Sequence, residues 1–314
     1  MNNKPIKNPF WYVFGPLLVY WIVGICVSIG TACVLVIGNV DEFAKVLSGI
    51  DTGSADAMTI AMQQCSLLAL KLELKYALEI QCVKAICSIF ACSVFFFKDR
   101  KKEKEENVQM PEKATWSKYI FLLVFAVAYN IGVSCLSYMV QLVLGNSSFQ
   151  NTSAIFYNSK FWLQIVGLSI LVPIMEELLF RGIIYKRMRT KAPFLRAAMF
   201  SAILFSFMHS NAIQMVNALV LGLILAYVYD KYGSFKAPVF THMIANLTAV
   251  IGTNTGIFNS FAKSPEILGI TIVVCTFVAA VMFTMIQRMD TGLKPEQPSD
   301  QSDDSQKPNL DMFR

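Results

Sequence analysis

The chain has 314 residues, 55% of them hydrophobic and only 15% charged, where an ordinary soluble domain carries about a quarter charged residues. With a mean hydropathy of +0.52, this balance excludes a soluble globular protein, and it excludes disorder for most of the chain because water cannot solvate so much apolar surface. The net charge of +6 does not argue for nucleic acid, since a membrane protein distributes basic residues by topology; the lipid bilayer is the expected surrounding.

The N-terminal MNNKPIKNP is followed by an uncharged run from Phe10 to Val40. That run is far longer than the roughly 7–15 residue core of a cleavable signal peptide, so it is expected to stay in the mature protein. Screening for mostly apolar stretches near the roughly 20 residues that cross a hydrocarbon core predicts eight spans. They are Trp11–Val36, Ala77–Phe97, Ile120–Leu144, Phe161–Phe180, Leu195–His209, Ala212–Tyr229, Ala237–Ile251 and Ile267–Ile286. The fold expected is an all-α, polytopic membrane helical bundle. Its organisation reads as 1–118, two transmembrane helices and a basic loop; 119–287, a helical core with polar motifs in 173–246; and 288–314, a disordered tail of Pro- and Ser-rich composition. Residues 41–76 mix charged and apolar residues, and Met58–Phe97 can be read as one long helix with an amphipathic first half outside the membrane, a boundary the pattern leaves open.

Lysine and arginine accumulate on the cytoplasmic side. With a cytoplasmic N-terminus, 21 of the 27 Lys and Arg residues fall inside, including those of Lys98–Lys118 and Arg181–Arg196, and both termini are then cytoplasmic. The run KDRKKEKEE is balanced by its own acids and reads as a solvated loop. None of the eight cysteines shows CxxC spacing, so they read as small packing residues rather than a zinc ribbon or redox pair.

Charged groups inside a span cost roughly 2.5–3.5 kcal/mol each, so those present are functional candidates. The fourth span ends in VPIMEELLFRG. Glu177 and Arg181 are i, i+4 neighbours, an ion pair that either anchors a helix end or supports a site. Glu176 points about 100° away around the helix, so Arg181 cannot neutralise both carboxylates equally, and Glu176 is the candidate general base. Pro173 removes a backbone donor and frees a carbonyl one turn back, a kink expected to admit water. The chain has two histidines, His209 ending Phe205-Ser-Phe-Met-His and His242 opening His-Met-Ile-Ala-Asn246. Either alone reads as a core histidine bonded to a backbone carbonyl. The i, i+4 spacing of His242 and Asn246, however, directs two hydrogen-bonding groups at one locus, where they can hold an oxyanion. Glu176, His209, His242 and Asn246 together supply what the addition of water to an amide requires, without a serine or cysteine nucleophile. Glu176, His209 and His242 also resemble a catalytic Zn2+ shell, so a divalent metal stays open, but the HExxH helix that fixes such ligands is missing.

The three motifs, EExxxR at Glu176 to Arg181, FxxxH at Phe205 to His209 and HxxxN at His242 to Asn246, resemble those of the CAAX protease and bacteriocin-processing (CPBP, or Abi) family of intramembrane proteases. The resemblance covers residues 160–250 and implies an endopeptidase similar to type II CAAX prenyl endopeptidases, acting on membrane-associated peptides or lipid-anchored proteins. It implies that Glu176 activates water with His209, that His242 and Asn246 stabilise the oxyanion, and that Glu177, Arg181 and Phe205 support them. The family is often labelled metalloprotease. Two other readings are a bacteriocin immunity or scaffold protein that binds a partner, and a proton-coupled transporter using Glu176 and Glu177, though no related halves are visible. At about 1.5 Å per residue, His209 lies some 20 Å from Arg196 and His242 about 9 Å from Lys236. A common depth therefore requires the fourth helix to continue past Arg181, and the seventh to begin before Lys236 or the fifth to tilt.

Overall fold

The structure is a computed structural model that describes residues 9–50, 56–107, 113–144 and 154–289. Backbone in hydrocarbon must satisfy its own hydrogen bonds, and the long apolar runs accordingly form helices; no strand occurs among the described residues. In chain order they are α1 (Pro9–Gly38), α2 (Val40–Ser48), α3 (Ala57–Lys75), α4 (Ala77–Glu105) and α5 (Tyr119–Leu144). Next come α6 (Phe161–Arg189), α7 (Phe194–Ser206), α8 (Ala212–Tyr232), α9 (Lys236–Asn254), α10 (Ile257–Ala262) and α11 (Pro265–Arg288).

Six of these, α1, α4, α5, α6, α8 and α11, are long and apolar enough to cross a membrane. The other two expected spans are helical but fall short of that measure. α7 has 13 residues and rises about 20 Å, less than the roughly 30 Å of a hydrocarbon core, and α9 carries Thr241, His242 and Asn246 along its length. The predicted fifth span is also too long at its end: α7 stops at Ser206, and His209 lies in the turn that follows. Asn211 then caps α8 by accepting from the Gln214 N–H at 2.9 Å. The fourth helix does run past Arg181, to Arg189, while α9 begins at Lys236 and not before it. The continuous helix read across Met58–Phe97 is interrupted at Tyr76, between α3 and α4. The tail from residue 290 onward lies outside the described residues.

α6 is the axis of the bundle. Over its most apolar window 56% of residues are buried, against 6% for α1 and 11% for α11, which therefore face lipid. Met175, Leu179, Phe180, Ile183 and Ile184 of α6 pack with Val13 and Leu17 of α1, Ala85 and Cys92 of α4 and Phe205 of α7. A second cluster joins Leu122 and Phe125 of α5, Val228 and Tyr232 of α8, Ala237 of α9 and Ile286 of α11. Exposed Ile25, Ile29, Phe90, Val94, Val273 and Phe277 form the apolar outer surface that a bilayer covers. Close helix approach uses small residues: a Cβ on Gly222 of α8 would sit 2.9 Å from that of Ala202 on α7, and one on Gly167 of α6 would sit 2.7 Å from Cys82 Sγ on α4.

Two expectations about charge change here. The acidic-basic run is not a loop, because Lys98–Glu105 continue α4. Its carboxylates clamp the end of α6, with Asp99 paired to Arg187 at 2.7 Å and Glu103 to Lys186 at 2.8 Å. Arg187 also donates to the Tyr12 carbonyl of α1. Arg181, counted above with the inside loop charges, is wholly buried within α6 rather than lying in a loop.

Candidate active site

The middle of α6 departs from ideal helix. Residues Ile165–Leu171 and Leu178–Tyr185 form wide turns on either side of the α-helical Val172–Glu177. Such widened turns are rare and often mark functional sites. In the first of them the Val172 N–H reaches back five residues to the Gly167 carbonyl. The next carbonyl in that ladder, Leu168, would look to residue 173, which is proline and has no N–H. Asn246 of α9 fills the vacancy, its Nδ2 donating to the Leu168 oxygen at 2.9 Å. The carbonyl freed by Pro173 is thus taken by a side chain from another helix, and a seam forms between α6 and α9. Asn254 Nδ2 donating to Gln164 Oε1 at 2.6 Å continues it.

Behind the seam lies a buried ionic cluster. Arg181 and Glu177 are both wholly buried, with Nη1 donating to Oε1 at 2.8 Å. Nη2 donates to the Gly222 carbonyl at 2.9 Å and the group stacks 4.6 Å over the Phe205 ring, while Arg181 Nε and Glu177 Oε2 have no hydrogen-bond partner among the described residues. A buried pair is tolerated when geometry is good and further hydrogen bonds satisfy it, and α6, α7 and α8 each supply one of these contacts. The same Glu177 Oε1 lies 2.9 Å from His242 Nδ1. Glu177 therefore receives the Nδ1–H, which fixes the ring orientation and turns Nε2 outward, the usual way a carboxylate disciplines an imidazole.

His242 Nε2 faces Glu176 Oε2 at 3.7 Å, close enough for one water beside the pair to hydrogen-bond both. His209 has its Nδ1 3.2 Å from the Phe205 carbonyl; that oxygen only accepts, so Nδ1 carries the proton and Nε2 is the free nitrogen. Phe205 stands between the two imidazoles, edge-on to each, at 5.1 Å from His209 and 5.8 Å from His242. Glu176, His209, His242 and Asn246 all line one cavity of about 510 Å3, within the usual range for ligand sites. Among the described residues no three His, Cys, Asp or Glu side chains are grouped as a metal shell. No step below passes through a metal.

Every residue singled out from the motifs has a place in this region, and several parts were not legible as motif. Gly222 holds Arg181 through a carbonyl, for which no side-chain signal exists. The Leu168 carbonyl acquires its role only through Pro173. Tyr20, Gln81 and Lys84, from α1 and α4, line the same cavity; only Lys84 carried a signal, a charge inside a predicted span.

These features define a class: a polytopic helical membrane protein whose polar cavity pairs a carboxylate with imidazoles, as hydrolytic sites do. Comparison with known proteins finds likeness to the CAAX protease family that the three motifs resemble. Residues 158–248 match the family model described as type II CAAX prenyl endopeptidase Rce1-like, a segment that contains all three motifs. The chain is 26% identical over 208 residues, 61% of its length and 84% of the relative's, to "Putative membrane peptidase YdiL" of Bacillus subtilis (strain 168). It is 29% identical over 127 residues, 40% of its length and 70% of the relative's, to "UPF0177 protein YxdF" of Lactococcus lactis subsp. lactis (strain IL1403). No solved structure gives a significant match to the chain.

Proposed function

We propose that this chain is an intramembrane endopeptidase that hydrolyses a peptide bond in membrane-associated or lipid-anchored, CAAX-like substrates, with Glu176 activating the water. The observation that carries the reading is the pairing of Glu176 Oε2 with His242 Nε2 at 3.7 Å in a cavity large enough for a peptide tail. Water held by the two loses a proton to the Glu176 carboxylate as its oxygen attacks the scissile carbonyl carbon. The resulting oxyanion is met by N–H donors from the α9 face. His242 donates from Nε2 when that nitrogen carries a proton, its Nδ1–H remaining on Glu177 Oε1. Asn246 has a second amide hydrogen beyond the one given to Leu168. The proton on Glu176 then passes to the leaving amine, and His209 binds water or substrate through Nε2. Arg181 and Glu177 act behind this set by holding His242 in register.

The test is cleavage of a quenched, lipid-anchored peptide by purified protein after exhaustive chelation, with wild type beside Glu176→Gln. The wild type is expected to cleave, and the variant, folded and equally stable, to be slower by roughly 10²–10⁴-fold. Equal rates in the two would remove Glu176 from the chemistry. Activity that chelation abolishes and added Zn2+ restores would replace the metal-free route.

A further inference from the structure

The cavity has one cationic wall, and it lies outside the matched segment. Lys84 sits two turns into the membrane-spanning α4 and lines the cavity that holds Glu176. Gln81, three residues earlier and therefore on the same helical face, lines it too. Among the described residues neither side chain has a hydrogen-bond or ion-pair partner; the Lys84 ammonium has only the Tyr20 ring, 5.7 Å to its centroid. Two other polar side chains of the cavity already have partners. Asn217 Nδ2 donates to Ser137 Oγ at 2.9 Å, and Ser134 is bonded to Asn130 at 3.4 Å. The backbone makes room for the lysine: a Cβ on Gly24 of α1 would come within 2.8 Å of Lys84 Cε, so the aliphatic stem runs across bare α1 backbone into the cavity.

An ammonium at membrane depth that finds no anion in its own protein is expensive and marks a ligand path. The side chain beside it supplies a neutral amide donor, and an ammonium with an amide N–H is the donor set that a carboxylate takes. Because this wall and Glu176 share one cavity, the anion belongs to the molecule being cut.

We infer that Lys84, with Gln81, binds a carboxylate of the substrate peptide, its free C-terminus or an acidic side chain, while Glu176 acts on a bond further along the chain. The inference rests on the peptidase reading and deepens it into a substrate class.

The test measures binding and cleavage separately on full-length protein in neutral-lipid nanodiscs. The probes are an N-palmitoylated, fluorescent apolar hexapeptide as free acid, the same peptide as C-terminal amide, and that amide with one internal glutamate. Binding is measured in a Glu176→Gln background. A carboxylate-bearing probe is expected to bind about 10- to 100-fold tighter than the plain amide, the worth of a charge-assisted hydrogen bond. Lys84→Arg should keep that preference and Lys84→Gln lose it, with both variants checked for an unchanged melting temperature. Preference for the free acid assigns the C-terminus and preference for the glutamate probe a side chain; either supports the inference. Equal binding of all three probes, or a preference that survives in Lys84→Gln, overturns it. So does competition by anionic phospholipid without any preference among peptides, which would assign Lys84 to a headgroup. Carboxylate-dependent binding with no cleavage by wild-type protein would leave the subsite standing and sink the peptidase reading alone.

Discussion

At the scale of single residues, the Glu177 carboxylate is the pivot, since one oxygen serves both Arg181 and His242 at 2.8 and 2.9 Å. Removing the guanidinium leaves a buried charge without its partner. Arg181→Met is therefore expected to lower stability by about 3–5 kcal/mol, seen as a fall in the melting temperature of purified protein. Glu177→Gln keeps an acceptor for Arg181 but leaves that buried charge without its counter-ion, so it too lowers the melting temperature, and by weakening the orientation of His242 it also slows cleavage per folded molecule. A folded variant that cleaves at the wild-type rate would make Glu177 a packing residue. Asn246 has two duties, and Asn246→Ala separates them. Loss of an oxyanion donor slows cleavage about 10²–10³-fold, and the orphaned Leu168 carbonyl costs a further ~1–3 kcal/mol of stability. A melt unchanged from wild type would mean that another donor reaches Leu168.

At the scale of elements, the telling feature is α6, one continuous helix whose ladder is widened on both sides of Glu176 and Glu177. Pro173 fixes where the ladder fails. Pro173→Ala returns an N–H opposite the Leu168 carbonyl, so the backbone competes with Asn246 and the α6–α9 seam loosens. The expected result is slower cleavage with an unchanged or higher melting temperature, together with stronger hydrogen-exchange protection around residue 173. A substitution that lowers stability without touching activity would contradict this account. Gly222 is the matching contact between α7 and α8. A Cβ there meets Ala202 at 2.9 Å and Arg181 Nη2 at 3.1 Å. Gly222→Val should therefore part the two helices and disturb the ion pair together, lowering both melting temperature and activity, whereas Gly15, whose added Cβ meets nothing within 4 Å, should accept alanine silently.

At the scale of the whole molecule, the bundle sorts its helices by exposure. α1 and α11 offer apolar faces to lipid, and α6 is enclosed, with α7 and α9, too short or too polar to count as spans by themselves, packed around the site. Whether the crossings number six or eight, an even count returns the chain to its starting side. Impermeant labelling of tags fused at residues 1 and 314 in sealed vesicles is expected to find both on the cytoplasmic face; labelling of one tag alone would refute that topology. Arg181 is withdrawn from the charges that support it, but the other basic residues of the segment, among them Arg187 and Arg189, remain near the end of α6, paired with Asp99 and Asp230.

What the sequence by itself determined is the class and the residues proposed for its chemistry. Long uncharged runs leave the backbone no choice but helix in a bilayer. The i, i+4 pairs Glu177–Arg181 and His242–Asn246 are also local facts, since helical periodicity alone brings each to one face. Tertiary structure decided what lies between helices. The bond from His242 to Glu177 spans 65 residues and that from Asn246 to Leu168 spans 78, and no pattern of spacing encodes a contact between separate helices. Those contacts assign Glu177 to His242 as well as to Arg181, bury an arginine that composition had placed in a loop, and bring the lone intramembrane lysine of α4 to the same cavity as Glu176. Depth and rotation of one helix against its neighbour are set by side-chain packing, and packing exists only once the helices have met.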